Sequence, residues 1–60
     1  MTYTDLEYAD RWISAMRART KWTAEDMLFH AGMMRRGGYM SASEYAAVEM
    51  RLTDETSGLN

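Results

Sequence analysis

One short pattern occurs three times in this chain: a large apolar residue, Thr or Ser, two spacers, an acid, and a second large apolar residue. The copies are YTDLEY from Tyr3, WTAEDM from Trp22 and MSASEY from Met40. Aligned on the hydroxyls Thr4, Thr23 and Ser41, the acids are Glu7, Asp26 and Glu44. This is the capping box: the hydroxyl accepts from the backbone N–H three residues on, and the acid reaches back to the cap residue's own N–H. The flanking pairs Tyr3/Tyr8, Trp22/Met27 and Met40/Tyr45 occupy the two positions of a hydrophobic staple. Three boxes with three staples predict three helix starts. Asp26 has the shorter reach, which makes the middle box the weakest.

The helix ends agree with these starts. The first helix is expected over about 5–18, with Arg17 and Arg19 at its negative C-terminal end. The second is expected over 24–36, closed by Arg35, Arg36 and the Gly37–Gly38 pair, one of which can take the left-handed cap conformation. The third is expected over 42–53. Links of roughly four residues favour antiparallel neighbours. The fold class expected is therefore all-α, a compact three-helix bundle over 1–53 followed by a flexible, frayed polar tail over 54–60.

Steps of about 100° per residue place the faces. In the first helix Leu6, Ala9, Trp12, Ile13 and Met16 share one arc, with Tyr8 at its edge. Met27, Leu28, Ala31 and Met34 form the stripe of the second, and Tyr45, Val48 and Leu52 that of the third. A 60-residue chain without cysteine has no disulfide to staple it, so such a fold relies on dense packing, oligomerisation or a partner. Four apolar residues fall outside the stripes: Phe29 and Met33 on the second helix, Ala46 and Met50 on the third. Either the faces are slightly rotated, with Phe29 packed under a loop, or these are the candidate partner-binding residues, since an aromatic beside adaptable methionines makes a suitable anchor. The other oddity is Gly32, which costs a helix interior about 1 kcal/mol against Ala. Beside Ala31 it leaves a flat spot for the close approach of another helix, either an internal one, which is favoured, with Trp12 a candidate neighbour, or one that belongs to a partner.

Catalytic chemistry finds little support. His30 stands four residues after Asp26 on one side of the second helix, the spacing of a base and its orienting group. No nucleophile accompanies them, and capping already employs Asp26. No catalytic residue, metal ligand set or cofactor is assigned, and RRGGYM lacks the Gly-Lys-Ser signature of a phosphate loop. The chain is expected to be no enzyme. A net charge of −2 gives no general attraction to nucleic acid or anionic membrane. The bases Arg17, Arg19, Lys21, Arg35 and Arg36 form a possible basic patch, divided between two helix ends. The second and third helices could form a helix-turn-helix, yet the recognition helix ASEYAAVEMRL carries Glu44 and Glu49 against Arg51 alone, which suits a phosphate-lined groove poorly. No run is apolar enough to span a bilayer, and no signal peptide is visible.

The segment GYMSASEYAAVEMRL resembles the SHOCT type of short helical module at Gly38, Met40, Ser41, Glu44, Tyr45 and Leu52. KWTAED followed by GYMSASEY is also similar to small XkdX-like phage tail-associated proteins. The resemblance implies a non-enzymatic assembly or interaction module of a phage: a structural accessory or an inhibitor of a host protein. The expected partner is another protein or a second copy of the chain, in the host cytoplasm or a virion. A small DNA-binding regulator is the alternative.

Overall fold

A computed structural model describes residues 2–57, and they form three helices: α1 Tyr3–Arg19, α2 Ala24–Arg36 and α3 Ala42–Ser57. The all-α three-helix bundle expected from the cap pattern is the fold observed.

Two of the three boxes form where expected. In α2 the Asp26 N–H donates to Thr23 Oγ1 at 3.2 Å, and Thr23 N–H donates to Asp26 Oδ2 at 3.1 Å. In α3 the Glu44 N–H donates to Ser41 Oγ at 3.1 Å, and Ser41 N–H reaches Glu44 Oε1 at 2.8 Å. The longer Glu side chain makes the shorter return bond.

The first box is shifted. Thr2, not Thr4, caps α1, and its partner is Asp5, not Glu7, with both bonds at 3.2 Å. Two overlapping hydroxyl–acid pairs compete there, and the earlier one lets two more residues join the helix while still satisfying the cap donors. Leu6 then takes the fourth helical position and packs against the core. The expected Tyr3/Tyr8 staple is not made: Tyr3 is 76% exposed.

The C-terminal ends also differ from expectation. Helix α1 closes one residue later than expected, at Arg19, where Thr20 N–H and Thr20 Oγ1 both donate to Met16 O at 2.8 Å. Helix α2 ends in a Schellman motif. Gly38 takes φ +83°, its N–H donates to Arg35 O at 3.2 Å, and Tyr39 N–H donates to Met34 O at 2.8 Å. Helix α3 runs to Ser57, four residues past the expected Thr53, so 54–57 of the expected frayed tail are helical. Residues 58–60 of that tail lie outside the described residues. The polar run TDETS contains no helix breaker before Gly58, and an Arg17–Glu55 ion pair ties its helix back to α1.

Both α1 and α2 pack along α3 and touch each other far less. Asp10 pairs with Arg51, and Arg17 with Glu55, so numbering rises together and α1 and α3 run in the same direction. Between them the core holds Ala9, Trp12, Ile13, Met27, Ala31, Met40, Ala47, Val48 and Leu52. Met27, Val48 and Leu52 are the largest side chains fully withdrawn from water, each stabilising the fold by roughly 1.5–3 kcal/mol. Ala47, outside the stripe expected for α3, is also fully buried, because α3 is flanked by two helices and buries a wider arc than one stripe.

Candidate functional site

The residues left outside the expected core separate into two groups. Phe29 is 67% exposed and Met33 54% exposed, side by side on the outer face of α2. Neither tucks under a loop. Ala46 and Met50 are half-buried. They sit roughly 100° and 140° around α3 from Tyr45, whose ring meets α2 at Gly32 and Arg35. The structure therefore does not bring the four candidates to one surface.

It brings Phe29 and Met33 together with other side chains instead. An open depression of about 210 Å³ is bounded by Leu28, Phe29, Gly32, Met33, Arg36 and Tyr45. It adjoins one of about 370 Å³ bounded by Gly32, Arg35, Arg36 and Tyr45. Gly32, Arg36 and Tyr45 are common to both, so together they make one groove along the α2–α3 seam. Arg35 lies over the Tyr45 ring, 5.5 Å from its centroid, a cation–π contact that holds ring and guanidinium together. Arg36 and, at the other end of the same helix face, Glu25 are exposed and make no ion pair among the described residues.

Gly32 is not there to let an internal helix close in. A Cβ built on it meets Tyr45 Cε2 at 3.9 Å, an ordinary contact, and Trp12 is not among its neighbours. The expectation of close internal packing fails, because α3 approaches this part of α2 through a ring rather than through backbone. What the missing side chain creates is a dip in the groove floor.

His30 takes no catalytic arrangement with Asp26. The Asp26 carboxylate accepts from the Thr23 N–H. The imidazole lies flat on Trp22, with centroids 3.8 Å apart and planes 11° from parallel, and meets the Phe29 ring edge-on at 5.9 Å. This aromatic run holds the link before α2 against the helix and supports Phe29 from one side. Helical spacing does not reveal this run, because Trp22 lies outside α2.

The five bases do not form one patch. Arg17, Arg19 and Lys21 precede α2, and Arg35 and Arg36 close it, so the helix length of about 20 Å separates them. Arg17 is already paired with Glu55. Among the described residues no group of three His, Cys, Asp or Glu side chains could hold a metal ion, and no helix is long and apolar enough to cross a membrane.

The fold and groove define a small all-α bundle with one mixed apolar and cationic face. Comparison of the chain with protein-family models, curated proteins and solved structures gives no match. The resemblance to SHOCT-type and XkdX-like modules therefore rests on its own residues alone.

Proposed function

We propose that the chain is a non-enzymatic protein-interaction module that binds through the α2–α3 groove. The observation that carries this reading is the exposure of Phe29 and Met33, adjacent on one helix and bordering a depression. An aromatic and a methionine left in water side by side at the edge of a depression are the kind of apolar patch that a partner covers. The arginines at one end supply a polar rim of the kind found at protein interfaces. The wider setting, a phage-encoded structural accessory or inhibitor of a host protein, is proposed from the resemblance alone.

The test is a Phe29→Ser, Met33→Ser double variant compared with the wild type. Association is measured by sedimentation and by affinity capture, and helix content by circular dichroism. The double variant is expected to lose association, with a second copy or with a captured protein, and to keep its helical signal. Loss of the helical signal would assign both residues to the fold. Undiminished association would exclude the groove. A regulator would instead show salt-dependent binding to duplex DNA, which this reading does not expect.

A further inference from the structure

We infer that the occupant of the groove is the groove of a second copy, with the two α2 helices packed antiparallel about a two-fold axis. This rests on the interaction reading above and specifies its partner.

Glu25, Phe29, Gly32 and Arg36 follow one another on α2 at spacings of four, three and four residues. At about 100° per residue they fall on a single stripe roughly 60° wide. The spacing reads the same from either end. Glu25 and Arg36 stand equally far from the midpoint between His30 and Ala31, and so do Phe29 and Gly32. A second α2 laid antiparallel across that midpoint therefore sets Glu25 against the partner's Arg36 at each end. In the middle it sets each Phe29 against the partner's Gly32. The large side chain meets the missing one, and the acid meets the base.

Each member of the stripe is free for this use. Phe29 is mostly exposed. Glu25 and Arg36 are exposed and make no ion pair among the described residues. Gly32 is not required by the packing of α2 on α3, where a Cβ would be accommodated. The depression beside it is bordered by Leu28, Met33 and Tyr45, which would flank an inserted ring with apolar surface. An asymmetric partner would need only one end to be charged. Opposite charges at equal distances from the centre suit a self-complementary face, the kind that closes a dimer. One 13-residue helix, about 20 Å long, presents less than the roughly 800 Å² per partner of a standard interface. The dimer accordingly belongs with small, transient interfaces.

The experiment is sedimentation equilibrium on the full chain and on two charge reversals, Glu25→Arg and Arg36→Glu, alone and mixed. Each reversal sets like charges against each other at both ends of its own dimer, and each is expected to raise Kd about tenfold or more. The equimolar mixture regains opposite charges at both ends, so heterodimers should form with close to wild-type affinity. So should dimers of the doubly reversed chain. Circular dichroism checks that every variant keeps its helices. Mixtures and the doubly reversed chain that stay as weak as the single variants would overturn the antiparallel pairing. Wild type that remains monomeric at every concentration would also overturn it. If that monomer nonetheless captures another protein and loses it on Phe29→Ser with Met33→Ser, the groove reading stands while the dimer falls. If it captures nothing, both fall.

Discussion

Gly32 faces the Tyr45 ring across the α2–α3 seam with room for one more carbon, a Cβ there standing 3.9 Å from Cε2. The glycine thus weakens its own helix without serving the packing of the bundle. Gly32→Ala should stabilise the monomer by about 1 kcal/mol, read as a raised denaturant midpoint at low protein concentration. The same methyl group occupies the dip meant for Phe29 of the second copy, so self-association should weaken. Opposite signs in the two measurements separate a glycine kept for an interface from one kept for the fold.

The two competing cap registers of α1 are distinguishable by alanine. Thr2→Ala removes the hydroxyl that accepts from Asp5 N–H and should cost about 1 kcal/mol in urea unfolding. Thr4→Ala alters an exposed helical position and should change stability by less than about 0.5 kcal/mol. The reverse order of costs would restore the Thr4 and Glu7 box.

The two adjacent glycines after α2 should respond unequally. Gly38 holds φ +83°, so Gly38→Ala forces a left-handed alanine and should cost about 1–2 kcal/mol by chemical denaturation. At Gly37 a Cβ would come within 3.0 Å of Tyr39 Cδ2. Tyr39 is 80% exposed and free to swing outward, so Gly37→Ala should cost much less.

Tyr8 offers a pH readout of the α1–α3 contact. Burial raises its phenol pKa above the ordinary 10.0, and the Glu44 carboxylate raises it further. A pKa higher in the folded than in the unfolded state means stability that is whole below pH 10.0 and is lost as pH climbs through the folded value. Glu44→Gln keeps a side chain able to cap Ser41 but removes the charge. It should lower the Tyr8 titration midpoint toward its ordinary value, followed by nuclear magnetic resonance, with the helices intact.

Much of the fold was legible because cap chemistry is local. A hydroxyl and an acid three residues apart mark a start wherever they stand, and Thr23/Asp26 and Ser41/Glu44 mark theirs correctly. At α1 two overlapping hydroxyl–acid pairs, Thr2/Asp5 and Thr4/Glu7, satisfy the same rule, and the packing of Leu6 against the core accompanies the one that forms. The end of α3 was hidden because Glu55 is held by Arg17, a partner 38 residues away. For the groove, periodicity singled out Phe29 and Met33 as misfits, and helix propensity singled out Gly32. Ala46 and Met50 belong to another side of α3, and Tyr45, read as core, borders the groove as well. How far two helices have turned relative to each other is a tertiary quantity that no single-helix period contains.

The central claim concerns what touches Phe29. An isotope-filtered nuclear Overhauser spectrum of mixed labelled and unlabelled chains, at a concentration where the dimer is populated, reports this directly. The account predicts cross-peaks between the Phe29 ring of one chain and the Gly32 α-protons of the other. Intermolecular cross-peaks confined to other surfaces, or none at the highest concentration reached, would contradict it.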